Sequence, residues 1–207
     1  MKGYKAFESD LTCRGYEFTT DETHTFDDEP ILCEQGFHFC TTLEDIVKYY
    51  HQPDMRVFEI EATGIITDAE GDCSKRACSE IKLVKELSLD EVMLNITKSE
   101  LAYRWARWIG NKDIMVNYIT ESEWAYKWAK CIGNKDIMIN HVTESKWAYF
   151  WARDIGNEDI MINHVNESMW TYYWAYLIGN IDIMKSRVTE PYWIGQWNET
   201  FLNYHIL

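Results

Sequence analysis

Cys13, Cys33, His38 and Cys40 are the first set of residues whose types suggest a site. Three thiols and an imidazole brought together across strands could hold zinc. A zinc site of this kind asks for closely spaced Cys pairs, however, and Cys33 and Cys40 are spaced Cys-x6-Cys around the inner His38. They flank one strand, which would have to bend before both thiols reached one ion. Structural thiols, packed as small apolar side chains, are therefore expected, with no metal. His38 and Cys40 share a strand face at i, i+2, but a nucleophile–base dyad needs a third group to orient the base, and none can be named. Glu59 and Glu61 also share a strand face. Paired carboxylates can shift a pKa for general acid–base work, yet the wet side of an edge strand has the same pattern and is the expectation here. The run Asp27-Asp28-Glu29 reads as a solvated loop. His141 and His164 share one repeat position with Tyr118 and Arg187. A slot that accepts all three residue types is partly exposed helix surface. None of these residues forms a recognisable catalytic set.

The elements that must position these residues fall into two halves. Residues 1–87 read as a small, acidic α+β domain. Gly3-Tyr4-Lys5-Ala6-Phe7, Gly15-Tyr16-Glu17-Phe18, His24-Thr25-Phe26 and Gly36-Phe37-His38-Phe39-Cys40 are short strands. Thr42-Leu43-Glu44-Asp45 opens a helix that runs to Tyr50. Arg56 to Ala62 alternates as a half-buried strand, and Ile81 to Leu87 is a last strand leading onward. No Gly/Ser linker separates the halves, so they are expected to pack as one body.

Residues 88–207 repeat. Asn111-Lys112-Asp113-Ile114-Met115 returns at Asn134 and, with Glu158 or Ile181 in the second place, at Asn157 and at Asn180, a step of 23 residues each time. A degenerate copy begins near Leu89 and a truncated one ends near Trp197, which makes about five units, the last partial. Each unit predicts a short helix (Asp113 to Tyr118), a turn, and a longer helix (Glu121 to Ile132). Thr97, Thr120, Thr143, Asn166 and Thr189 are placed to cap the longer helices, with Glu100 and Glu123 completing capping boxes. Gly110, Gly133, Gly156 and Gly179 are placed to end them, and the Asn after each Gly to cap the next helix.

All ten tryptophans lie in this half, and nine hold two repeat positions: Trp105, Trp128, Trp151, Trp174, Trp197, and Trp124, Trp147, Trp170, Trp193. Trp124, Trp128 and Ile132 fall on one face with Ala125 and Ala129. A buried indole removes about 200 Å² from water, on the order of 5 kcal/mol before entropy. One hairpin cannot bury both rings, but stacked neighbours can. The pattern predicts an α-helical solenoid of helix–turn–helix repeats with the indoles hidden between units.

Composition narrows the function classes. The 207 residues carry 20 Lys and Arg against 34 Asp and Glu, a formal net charge of −14. The first 87 residues hold nine basic against nineteen acidic side chains. Such a surface repels a phosphate backbone, so direct nucleic-acid binding is not expected. No run of 18 apolar residues predicts a membrane span, and Met1-Lys2-Gly3-Tyr4-Lys5 opens no signal peptide. Six cysteines without a CxxC pair then read as reduced cytoplasmic thiols.

Certain words of the first half carry a resemblance: Gly3-Tyr4-Lys5-Ala6-Phe7, Leu11-Thr12-Cys13-Arg14-Gly15, Leu32-Cys33-Glu34-Gln35-Gly36-Phe37-His38-Phe39-Cys40 and Ile81 to Leu87. Over residues 1–87 they resemble an uncharacterised domain family of bacteriophages and mobile elements, often joined to repeats. The Trp-Ala-Tyr-x-Trp-Ala words are similar to arrays in phage-encoded proteins. A second, weaker likeness is to the ADP-ribosyltransferase-like fold, in which an early strand carries an Arg and a Gly-aromatic-His-aromatic strand leads into a helix ending in aromatics. That likeness implies Arg14, His38, Tyr49 and Tyr50 as ligand-binding residues around a dinucleotide-type pocket; the chain departs from its pattern in the catalytic glutamate, for which Glu80 and Glu86 are candidates without an assigned role.

The combined expectation is a non-enzymatic, phage- or mobile-element-encoded binding protein of the host cytoplasm that needs no cofactor. It would act on a host factor, either by binding a host protein or by capturing a nucleotide signal, with aromatics stacking on a base and Arg14 pairing a phosphate. The alternative is an ADP-ribosyltransferase-like enzyme using NAD. A homo-oligomer is compatible with either.

Overall fold

A computed structural model describes residues 1–50, 52–67, 74–156 and 159–204. It is a mixed α+β chain, β-rich at the front and helical behind. Two compact units divide it, Met1–Tyr118 and Ile119–Leu207.

Five strands make the main sheet of the first unit: β1 (Lys2–Phe7), β4 (Thr23–Thr25), β5 (Phe37–Cys40), β6 (Arg56–Ile66) and β7 (Lys75–Leu87). β2 (Thr12–Cys13) and β3 (Tyr16–Glu17) form a separate hairpin. The pairings β1–β5, β5–β7, β7–β6 and β6–β1 close on themselves. β6 therefore has a neighbour on each side and is not the edge strand that its alternation suggests. Glu59 and Glu61 stand opposite Lys85 and Lys82 in the β6–β7 register, so these carboxylates face cations across the ladder. The core is aromatic: Phe7, Phe18, Phe37, Phe39 and Phe58 pack with Ile60, Ile81 and Leu83. Gly3 is required there, because a Cβ would fall 2.4 Å from the Phe39 ring.

The helix α1 (Ile46–Tyr49) follows β5. Just ahead of it, Glu44 accepts from Thr97 Oγ1 at 3.0 Å and pairs with Lys98 at 2.7 Å. These bonds, with helix α2 (Leu89–Met93) against β6, join the start of the helical half to the sheet. The compact unit thus extends to Tyr118, beyond the change of sequence character near residue 87.

Ten α-helices follow the last strand among the described residues. In the first unit these are α2, α3 (Ser99–Trp108) and α4 (Lys112–Met115), the last running into a 3₁₀ turn at Val116–Tyr118. The second unit holds α5 (Ser122–Cys131), α6 (Lys135–Met138), α7 (Ser145–Asp154), α8 (Asp159–His164), α9 (Ser168–Ile178), α10 (Ile181–Arg187) and α11 (Pro191–Tyr204). Asn157 and Glu158 of the third repeat word lie outside the described residues. Among the described residues no helix is long and apolar enough to cross a membrane.

The helix ends depart from the expected caps. α3, α5, α7 and α9 start at Ser99, Ser122, Ser145 and Ser168, two residues after the Thr or Asn placed to cap them. Their N-cap residues are Lys98, Glu121, Glu144 and Glu167, none with a side-chain cap bond. The serine is used differently. Buried Ser122 Oγ donates to the His141 carbonyl at 3.2 Å and accepts from the N–H groups of Thr143 at 3.0 Å and Glu144 at 3.2 Å. Ser145 meets His164, Asn166 and Glu167 in the same way. Each hydroxyl satisfies the chain entering the following long helix, so the Thr is not needed as a cap. Asn180 does cap α10, accepting from Asp182 and Ile183. Asn111 and Asn134 instead take left-handed conformations, with φ of 57° and 56°.

The two tryptophan positions also separate. Trp105, Trp128, Trp151, Trp174 and Trp197 are buried. Trp124, Trp147, Trp170 and Trp193 are only half-buried. Three of these rings lie against a tyrosine of the preceding long helix: Tyr126–Trp147 at 5.6 Å, Tyr149–Trp170 at 5.5 Å and Tyr172–Trp193 at 5.2 Å. The two indoles of a repeat are four residues apart and share a helix face, so the second sits at the margin of the buried stripe, against the neighbouring tyrosine.

Replacing Ser122 by Ala leaves two N–H groups without this acceptor. Ser122→Ala is expected to cost about 2–3 kcal/mol, read from urea unfolding followed by tryptophan fluorescence. A change below about 0.5 kcal/mol would refute the structural weight given to this hydroxyl.

Candidate functional site

A pocket of about 690 Å³ opens in the first unit. It lies within the ~300–1,000 Å³ range of small-molecule sites. Arg14, His38, Tyr49 and Tyr50 all line it, so the structure brings together the four residues implied by the transferase likeness. Lys5, Lys75, Glu8 and Glu34 line it too, together with the aromatic residues Tyr16, Phe18, Phe26, Phe37 and Phe39. Sequence reading missed the two lysines. Strand parity could have found Lys5, since it stands two residues before buried Phe7 and so shares its face.

Arg14 does not sit on a strand. Cys13 pairs with Tyr16, and Arg14 and Gly15 between them have φ of 53° and 80°. Positive φ at both central residues is the signature of a two-residue type I′ hairpin turn. An arginine there is strained, because its Cβ crowds the backbone. Cys33 has φ of 71° in the loop before β5. Two non-glycine residues at or beside the pocket are thus held in a sparsely populated conformation, a pattern common at functional sites.

His38 is fixed from that loop. The Cys33 N–H donates to His38 Nε2 at 2.8 Å, which leaves the neutral ring's proton on Nδ1. Burial, with Lys75, Lys5 and Arg14 nearby, pulls the His38 pKa down to about 4. His38 is therefore a neutral polar group near pH 7 and adds no charge. The pocket's cations are Lys5, Arg14 and Lys75, against the carboxylates Glu8 and Glu34. Lys75 lies 4.9 Å above the Tyr49 ring and 3.5 Å from Cys33 Sγ.

The thiols have separate partners. Cys13 Sγ lies 3.5 Å from Lys5 Nζ and 3.6 Å from Tyr50 Oη. Burial pushes Tyr50 up and moves Cys40 up to about 12. Cys40 thus stays a thiol near neutral pH and makes no thiolate–imidazole dyad with His38. Among the described residues no three His, Cys, Asp or Glu side chains are grouped to hold a metal. Asp27, Asp28 and Glu29 are exposed. Glu80 accepts from Thr63 Oγ1 at 2.6 Å, and Glu86 makes a two-bond pair with Arg56. Neither glutamate lines the pocket, so the transferase likeness finds no catalytic carboxylate at the positions it suggested.

The low His38 pKa has a thermodynamic consequence. The unfolded chain binds a proton at His38 near pH 6.5, whereas the folded chain does so only near 4. Stability contributed by the neutral ring is complete above pH 6.5 and falls as pH drops through that window. Asp45 is held near 2 because bonds from Lys48, Ser74 and Thr42 outweigh the effect of burial, and its own loss begins below 3.8. Urea midpoints are expected to decline from pH 6.5 to 5, and His38→Gln to flatten that decline. An equal slope in the variant would remove His38 as the cause.

Residues 1–95 match a family model described as a domain of unknown function, DUF7666. No curated protein and no solved structure matches the chain. The matched residues span the sheet, the pocket and the first helix beyond them.

Proposed function

We propose that the protein is a non-enzymatic binding protein whose first unit captures a small, anionic, nucleotide-type molecule. The observation that carries this reading is the pocket itself, where three cations and a neutral imidazole stand among aromatic rings in a chain of net charge −14. Rings offer stacking faces for a base, and Arg14 and Lys75 offer charge-assisted bonds to phosphate oxygens. The acidic remainder disfavours a polymeric nucleic acid while the pocket favours a small anion. The resemblance of the opening motifs to a phage and mobile-element family supports a setting in host cytoplasm, where capture would withhold a nucleotide signal from a host factor.

The helical pairs of the second unit, in this proposal, stack as a small solenoid. Its support is the return of the same Ser–backbone and Tyr–Trp contacts at 23-residue steps.

Mass spectrometry of small molecules released by heating the full chain, paired with thermal shifts against a nucleotide panel, tests the capture reading. At about 100 times Kd a bound nucleotide should raise Tm by roughly 5 °C or more. Arg14→Ala with Lys75→Ala should abolish that rise. A panel without effect, together with no released nucleotide, would eliminate capture, and hydrolysis of NAD would overturn the non-enzymatic reading.

A further inference from the structure

Lys5 has surroundings that the capture reading leaves unexplained. It lies on β1 at the pocket wall and is 3% exposed. Its ammonium donates to the His38 carbonyl at 2.8 Å and contacts Cys13 Sγ at 3.5 Å. The ring centroids of Phe7 and Phe18 lie 5.4 and 5.5 Å away. Among the described residues no carboxylate forms an ion pair with it. Glu8 and Glu34, the acidic side chains of the same pocket, are exposed.

Buried charges are ordinarily paired with an opposite charge. Lys5 has a carbonyl, a thiol and two ring faces in that place. The titratable and charged groups around it are Cys13 from β2, Cys40 and His38 from β5, Cys78 from β7, Arg14 from the hairpin turn, and Tyr50 through its contact with Cys13. Burial disfavours the Lys5 charge, and the thiols only partly offset this. An anion entering the pocket would supply the missing counter-charge.

Burial also grades the pocket. Arg14, Tyr16 and Tyr49 are exposed, whereas Lys5, Phe18, Phe37 and Phe39 are buried. We infer that Lys5 anchors the phosphate of a phosphate monoester inserted toward the aromatic floor, with Arg14 and Lys75 holding further charge nearer the surface. This rests on the capture reading and narrows it to a ligand that enters phosphate first. The base or sugar then lies outward, beside Tyr16 and Tyr49. The phosphate takes over the Lys5 donor now directed at Cys13, and the bound molecule covers that half-exposed thiol.

Titration calorimetry of the full chain with adenosine 5′-monophosphate, ribose 5-phosphate, inorganic phosphate and adenosine tests the anchor. The three phosphates should bind, and adenosine should be weaker than its monophosphate by about 30-fold or more. Lys5→Met should reduce the monophosphate to the level of adenosine, while Arg14→Ala weakens it by less than about tenfold. A second readout needs no variant. Iodoacetamide labelling of Cys13, located by peptide mapping, should slow at saturating monophosphate. Adenosine binding as tightly as its monophosphate, or unchanged Cys13 labelling, would overturn the anchor and leave the nucleotide pocket standing. Failure of all four probes would overturn both.

Discussion

The β1–β6 ladder runs without interruption from Lys2↔Glu61 to Phe7↔Arg56, and the pocket depends on that register. Successive side chains on a strand point to opposite faces, so Gly3, Lys5 and Phe7 share one face. A slip of one residue would turn Phe7 out of the aromatic cluster and remove Lys5 from the wall. The close approach of Gly3 to the Phe39 ring holds the register from one end. The edge-on contacts of Phe7 with Phe18 at 4.9 Å and with Phe58 at 5.7 Å hold it from the other. Lys5 lies between, so its burial follows from packing that favours Phe7. A slip that freed the ammonium would expose the phenylalanine as well.

This placement reverses the local electrostatics of an acidic chain. At physiological salt, charges more than about 8 Å apart across solvent are largely screened. Exposed runs such as Asp27-Asp28-Glu29 therefore matter less to a molecule inside the pocket than cations on its wall. His38 sharpens the effect by remaining neutral. The lysines and arginine that lower its pKa are the same groups that attract an anion. The carbonyl of His38 holds Lys5 while its ring accepts from Cys33, so one residue organises both sides of the site.

Much of this architecture is legible in the sequence. Strand alternation locates β1, β5, β6 and β7, and the 23-residue repeat locates the helix pairs. What escapes is decided by tertiary pairing. The alternation of β6 cannot tell a wet edge from a strand paired on both sides, because Lys82 and Lys85 that face its glutamates lie 21 residues beyond Glu61 and 26 beyond Glu59. Thr120 and Ser122 are both sound capping types, and only the position of His141 and Thr143 shows that Ser122 carries the bonds. A likeness of motifs implies Arg14, His38, Tyr49 and Tyr50, yet the same likeness places Arg14 on a strand and offers Glu80 or Glu86 only as candidates. The pocket kept the first group and left out the glutamates.

Backbone strain completes the argument for a binding site. Arg14 and Cys33 adopt positive φ, at a cost on the order of 1–2 kcal/mol each. Glycine would relieve both turns, but it would delete the guanidinium at position 14. At position 33 it would keep the N–H donor to His38 and lose the thiol that Lys75 contacts. At these two positions the strained residue faces a cation or supplies one, whereas Leu11, at φ of 65°, does neither. Residues tolerated against their own backbone preference, at the wall of a cavity with an unpaired buried ammonium, are better explained by what the cavity holds than by what keeps the sheet together.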